Sequence, residues 1–188
     1  MEHLAAGHPA TLTGVRIEEP GRDDLTELAA VAAATFPLAC PPSVTDADAA
    51  AFIAENLSAE KFADYLADPA RIILIARDDD RILGYAMLIH GVPDDADVQQ
   101  AVPLRPALEI SKMYALPAVH GTGVSAALMT EALARGTRSG AACVWLGVNQ
   151  SNERAQRFYA KFGFRVGGTK TFRVGAGIEN DYVMVRAG

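Results

Sequence analysis

From Tyr114 to Met129 the chain reads Tyr-Ala-Leu-Pro-Ala-Val-His-Gly-Thr-Gly-Val-Ser-Ala-Ala-Leu-Met: a strand passing through a tight glycine-containing turn into an amphipathic helix. The first amides of such a helix have no intrahelical partner. Together with the helix dipole they form an anion site suited to a pyrophosphate. Gly121 and Gly123 let the backbone approach a ligand with no Cβ in the way. An ordinary strand-to-helix turn with two glycines would look the same in isolation. No Gly-Lys-Ser/Thr follows, which excludes a Walker A loop, and the third glycine of a dinucleotide fingerprint is missing.

The chain around this segment has 188 residues, 50% hydrophobic and 21% charged, the composition of one globular domain. Residues 1–13 read as a disordered tail in which His3 and His8 are solvated, and residues 14–188 as a single domain. No apolar run approaches the roughly 20 residues of a membrane span, and Met1 to Pro9 lacks the pattern of a signal peptide, so a cytoplasmic protein without membrane partners is expected. Cys40 and Cys143 form neither a disulfide framework nor a metal-ligand spacing; two free thiols and no metal are expected. The net charge of -6 hides a division. Met1 to Ile110 carries 7 Lys/Arg against 19 Asp/Glu, whereas Ser111 to Gly188 carries 10 against 4. This split suits either two partners of opposite charge or two differently solvated faces. With no basic cluster interleaved with aromatics, nucleic acid is not expected as a partner.

Hydrophobic spacing predicts a short strand at Val15 to Glu18 and a helix from Leu25 that stops before Pro37, with a loop over Phe36 to Pro42. Thr45 or Asp46 can cap a second helix and Ser58 a third. Ile72 to Ala76 and Ile82 to His90 read as a hairpin. Gly91 to Ala107 reads as a polar connection without structure of its own, a length usually associated with function or mobility. Leu108 to Leu116 and Ala142 to Val148 are strands on either side of a helix from Val124 to about Thr137. A short helix, Asn152 to Lys161, is followed by strands near Phe164 to Val166, Thr171 to Val174 and Asp181 to Arg186.

A second motif lies about 30 residues beyond the glycine turn: a buried strand from Trp145 delivers a capped helix with Ala155, Phe158, Tyr159 and Phe162 on one face. Ala155, Phe158 and Phe162 suit a core. Tyr159 differs, because a buried hydroxyl needs a polar partner and one in a cleft is available for a task. His120-Gly-Thr-Gly123-Val-Ser125 followed by Asn152-Glu-Arg-Ala155-Gln-Arg-Phe-Tyr159 resembles the paired signature of the GNAT superfamily of N-acetyltransferases, over nearly the whole chain from Val15. Leu108 to Ala115, Val144 to Val148 and the ending Phe172-x-x-Gly175 with Asp181-Tyr-Val-Met184 are also similar to PaiA-type polyamine acetyltransferases.

The resemblance implies an α/β GNAT fold, a mixed central sheet of about seven strands with a splayed parallel pair, flanked by helices. It implies acetyl-CoA as cosubstrate, its pantetheine arm lying between Leu108–Leu116 and Ala142–Val148 as though it were a further strand. Backbone groups of Met113, Tyr114 and Ala115 would pair with pantetheine, while His120, Gly121, Thr122, Gly123, Val124 and Ser125 form the pyrophosphate turn. Asn152 would bond the pantetheine arm and can also be a simple helix cap. Two positions depart from the family pattern: His120 stands in place of Arg or Gln, and Ser125 in place of Gly or Ala. His120 is charged only part of the time near neutral pH and cannot give Arg's bidentate grip, so weaker cosubstrate binding is expected.

Acetyl transfer to an amine needs a neutral amine, a stabilised tetrahedral oxyanion and a proton for the departing thiolate. Glu109, four residues before Met113 and so expected on the same strand face, is the candidate base, with a partly exposed structural carboxylate as the alternative. The amide near Ala115 would polarise the thioester carbonyl, and Tyr159 is the candidate general acid. Cys143 sits in an apolar strand with nothing adjacent to activate it as a nucleophile. The acceptor is expected to be a primary amine, a polyamine or other small cationic amine, drawn to a substrate side built from the N-terminal helices and the hairpin, a region whose acids include Asp46, Asp48, Glu55, Glu60, Asp64, Asp68, Asp94, Asp95 and Asp97. Protein lysines or N-termini, an aminoglycoside, or a non-catalytic acyl-CoA-binding regulatory module are the alternatives, and a homodimer is open.

Overall fold

The computed structural model describes residues 14–188; the expected tail over residues 1–13, with His3 and His8, lies outside them. In chain order the elements are β1 (Arg16–Glu18), α1 (Leu25–Ala39), α2 (Asp46–Asn56), α3 (Ala59–Ala67), β2 (Arg71–Asp78), β3 (Arg81–His90), α4 (Ala96–Ala101), β4 (Ala107–Ala115), α5 (Val124–Arg138), β5 (Cys143–Asn149), α6 (Glu153–Lys161), β6 (Arg165–Val174) and β7 (Gly177–Ala187). The seven strands form one sheet in the order β1-β2-β3-β4-β5-β7-β6. Every pairing is antiparallel except β4 with β5.

Helices cover both faces. On one, α5 and α6 pack over Leu108, Ile110, Leu146 and Phe164. On the other, α1, α2 and α3 cover Ile73, Ile75, Tyr85 and Met87, and α4 covers Trp145, Cys143 and Val183. Each such large apolar side chain taken fully out of water contributes about 1.5–3 kcal/mol, which fixes the sheet as the platform of the site.

Three expectations are corrected. α1 continues through Pro37 to Ala39, because a proline in the last turn removes only one hydrogen bond. Phe36 stays helical, buried and stacked on Phe52 with ring centroids 4.5 Å apart, and the Cys40 amide closes the helix on the Pro37 carbonyl. The Gly91 to Ala107 connection is not structureless: Asp95 caps α4, and Val98, Ala101 and Val102 are buried beside Trp145, whose indole donates to the Gly91 carbonyl at 3.2 Å. The strand segments expected near Phe164 to Val166 and Thr171 to Val174 are one strand, β6, with an irregularity at Gly167 where its register against β7 shifts. Among the described residues no helix is long and apolar enough to cross a membrane.

Candidate active site

β4 and β5 pair only at Ala107–Cys143, Leu108–Val144 and Glu109–Trp145, then diverge. Residues 110–115 of β4 therefore present a strand edge that β5 leaves unpaired. A cavity of about 300 Å3 opens at this splay, lined by Glu109 to Tyr114 on one side and Gly147 to Asn149 on the other. A second cavity of about 290 Å3 shares Met113, Tyr114, Asn152, Ala155 and Tyr159 with the first and reaches Ala115, His120, Ser125 and Arg154. An extended chain entering the gap would complete the ladder that β5 abandons, so the residues present fit a pantetheine arm.

At the far end of β4 the chain turns into α5. Gly121 and Gly123 have φ of 79° and 93°, in the left-handed region where L side chains are strained. A Cβ at either would meet no protein atom within 4 Å, so backbone conformation and the space left open to a ligand account for glycine there. The amides of Gly121, Gly123, Val124, Ser125 and Ala126 donate to no protein acceptor among the described residues, whereas Thr122 turns inward and its hydroxyl donates to the Val119 carbonyl at 2.6 Å. Val124 offers only its backbone, since its side chain is buried in the core. His120 Nε2 lies 3.1 Å from the Ala115 carbonyl, tying the turn to the end of β4. Of the basic residues that follow, Arg154 lines the second cavity and makes no ion pair among the described residues, while Arg157 is held by Glu153 at 3.2 Å.

Asn152 Oδ1 accepts from the Ala155 amide at 3.1 Å and caps α6, and its Nδ2 donates to no protein group among the described residues. Tyr159, two turns into α6, lines both cavities. Its ring packs edge-on against Phe158 and Phe164, and its hydroxyl has no protein hydrogen-bond partner among the described residues. Burial pushes its pKa up to about 12, so it carries its proton at any physiological pH. Tyr114, beside it, is also held protonated, by burial first and then by the neighbouring Tyr159 and Cys40.

Glu109 lines the first cavity but does not share a face with Met113 as its spacing predicts. Lys112 pairs with Met87 and Ile110 with Leu88, so Ser111 is an extra residue in β4 and reverses the alternation. Glu109, Lys112 and Tyr114 consequently share the face of α1 to α3, while Met113 packs on the opposite face with Leu108 and Ile110. Burial raises the Glu109 pKa above the ordinary carboxylate range, opposed by Lys170, Lys112 and Arg71.

Sequence reasoning missed three charged residues of this cavity: Lys112, Lys170 and Asp181. Burial lowers the Lys112 pKa, and the nearby Glu109 works against that shift. Lys170 Nζ lies 3.8 Å from Asp181 Oδ2 and 5.6 Å from the centre of the Phe172 ring. The signal available was the alternation Lys170, Phe172, Val174, all three of which line the cavity from β6. Phe52 bridges from α2, 4.5 Å from Phe36 and 6.0 Å from Phe172, and gives the cavity an aromatic wall. The acids expected to draw the acceptor lie elsewhere: none of Asp46, Asp48, Glu55, Glu60, Asp64, Asp68, Asp94, Asp95 and Asp97 lines either cavity.

A splayed parallel pair, a glycine turn with free amides and a tyrosine aimed at neither backbone nor side-chain acceptors define an acyl-CoA-dependent acyltransferase. The sequence model of the acetyltransferase (GNAT) family matches residues 39–164, and the chain belongs to that family, with acetyl-CoA as its cosubstrate. The chain is 60% identical over 163 residues to an uncharacterized N-acetyltransferase of Mycobacterium tuberculosis, covering 87% of this chain and 97% of that protein. An uncharacterized N-acetyltransferase of Lactobacillus delbrueckii subsp. lactis is 27% identical over 176 residues, 94% of this chain and 99% of its own. In fold it is similar to the PaiA N-acetyltransferase from Thermoplasma acidophilum in complex with coenzyme A, with a TM-score of 0.73, 19% identity, and coverage of 94% of this chain and 100% of that one.

Proposed function

We propose that this acetyltransferase moves an acetyl group from acetyl-CoA to the primary amine of a small molecule, by direct attack in a ternary complex at the mouth of the β4–β5 gap. The observation that carries this reading is Tyr159, which lines both cavities and whose protonated hydroxyl has no protein hydrogen-bond partner among the described residues. The amine nitrogen attacks the thioester carbon and gives up a proton toward Glu109, directly or through water. The thioester oxygen gains negative charge, which the amide near Ala115 would stabilise. When the C–S bond breaks, the coenzyme A sulfur takes the Tyr159 proton, leaving an acetylated amine and a free thiol.

Neither cysteine suits a covalent route. Cys143 is fully buried outside both cavities, its thiol directed at the Leu104 carbonyl, and burial raises its pKa. Cys40 lines the first cavity, but burial raises its pKa too, which keeps it a thiol and a poor nucleophile. A polyamine or other small cationic amine, the acceptor suggested by the PaiA-type resemblance, would find its support inside the cavity, in Glu109 and Asp181, and not in the acid-rich helices. Initial rates measured over a grid of acetyl-CoA and amine concentrations test the direct route. Intersecting double-reciprocal lines are expected, and parallel lines would mean a covalent acetyl-enzyme.

A further inference from the structure

Glu109 and Lys112 stand on one face of β4, three residues apart, and do not pair with each other. Neither makes a hydrogen bond or an ion pair among the described residues, although both line the same cavity. The other charges nearby are matched: Lys170 by Asp181 at 3.8 Å, and Arg71 by Asp68 at 3.0 Å and by the Tyr65 ring at 4.7 Å. An acid and a base that share a half-buried wall, near enough to feel each other's charge yet joined by no hydrogen bond or ion pair, keep their bonding capacity for a molecule from outside. On an extended strand their Cα atoms are at most about 10 Å apart, the span of a short molecule with an ammonium near one end and an anion near the other.

We propose that the acceptor is a zwitterion, a small amine that also bears a carboxylate, with the amine directed to Glu109 and the carboxylate held by the Lys112 ammonium. This rests on the acetyl-transfer reading and narrows its acceptor class. A polyamine would satisfy Glu109 but bring a cationic group up to Lys112, a like-charge approach in a site partly withdrawn from water. An amino acid meets both unpaired charges with opposite ones. The aromatic wall of Phe36, Phe52 and Phe172 leaves room for a short methylene chain between its two ends.

Thiol release from acetyl-CoA distinguishes these acceptors in matched pairs that differ only by a carboxylate: ornithine against putrescine, lysine against cadaverine, 4-aminobutyrate against propylamine, with spermidine alongside. At least one carboxylate-bearing member is expected to exceed its decarboxylated partner in kcat/KM by tenfold or more. Lys112→Gln should shrink that ratio at least fivefold and Lys112→Arg restore part of it. The Gln variant removes a half-buried charge whose desolvation outweighs the help it gets from Glu109, so it should keep or raise the thermal midpoint, and loss of the ratio in a stable variant is then not misfolding. Equal or better rates with the decarboxylated amines or spermidine, or a ratio that survives Lys112→Gln, would overturn the zwitterion while leaving amine acetylation in place. Thiol release unaffected by every amine would overturn both.

Discussion

Lys170 lies over Gly147 so closely that a Cβ at position 147 would stand 2.5 Å from the lysine Cε and 3.2 Å from its Nζ. The bare backbone of β5 is what lets Lys170 cross toward Asp181 in the cavity. Gly147→Ala should displace the end of a flexible side chain rather than backbone, at about 1 kcal/mol of stability, the low end of overpacking costs. The acceptor KM should rise roughly three- to tenfold, ~1 kcal/mol of binding, with less change in the acetyl-CoA KM. Equal effects on both substrates would show that Lys170 does not serve the acceptor side.

Glu109 is expected to set the acid limb of kcat/KM. Because burial raises its pKa, that limb should lie above the ordinary glutamate value of about 4.3. Glu109→Gln should abolish the limb and lower kcat on the order of 100- to 10,000-fold. Stability should move the opposite way. A carboxyl whose folded pKa is raised stabilises the fold below its unfolded pKa and loses that contribution as pH rises through the folded one. The Gln variant should therefore gain thermal midpoint over wild type at pH 8 and not at pH 4, which differential scanning measurements at the two pH values would check.

Asn152 combines a cap with a free amide, and two substitutions separate them. Asn152→Ala loses the Oδ1 bond to the Ala155 amide and should cost about 0.5–2 kcal/mol in stability as well as raising the acetyl-CoA KM. Asn152→Asp keeps the cap, so its thermal midpoint should stay near wild type while the acetyl-CoA KM still rises. A normal KM in the Asp variant would leave Asn152 as a cap alone.

His120 Nε2 lies 3.1 Å from the Ala115 carbonyl and ties the glycine turn to the end of β4. His120→Arg supplies a permanent charge and further donors at the start of the turn. The acetyl-CoA dissociation constant should fall several-fold. Calorimetric titration would show it, and an unchanged constant would mean that the turn amides and Arg154 already carry the phosphate contacts.

The parts of this fold with a local signature were legible in the sequence. The turn from Leu116 to Val124, the caps at Thr45, Ser58 and Asn152, and the hairpin of β2 and β3 all lie where residue type and spacing put them. What was not legible came from tertiary packing. Phe36 stacking on Phe52 keeps α1 helical past Pro37, and burial against Trp145 makes a helix of Ala96–Ala101 within a polar connection. The extra residue at Ser111 was invisible because a bulge is defined by the partner strand, and it moved Glu109 to the face of Lys112. Lys170 and Asp181 escaped notice because they reach the site from strands far along the chain, across a glycine whose purpose appears only when β5, β6 and β7 lie together.

The most direct test of the central claim is amine-dependent thiol release from acetyl-CoA by wild type and by Tyr159→Phe. At a pKa of about 12 the tyrosine is protonated throughout the working range, so removing its hydroxyl removes the acid at every pH. Wild type is predicted to release coenzyme A only when an amine is present, and Tyr159→Phe to lose on the order of 100- to 10,000-fold in kcat at all pH values tested, with its thermal midpoint kept. Turnover by Tyr159→Phe within about threefold of wild type, far short of the loss of a general acid, would contradict the account.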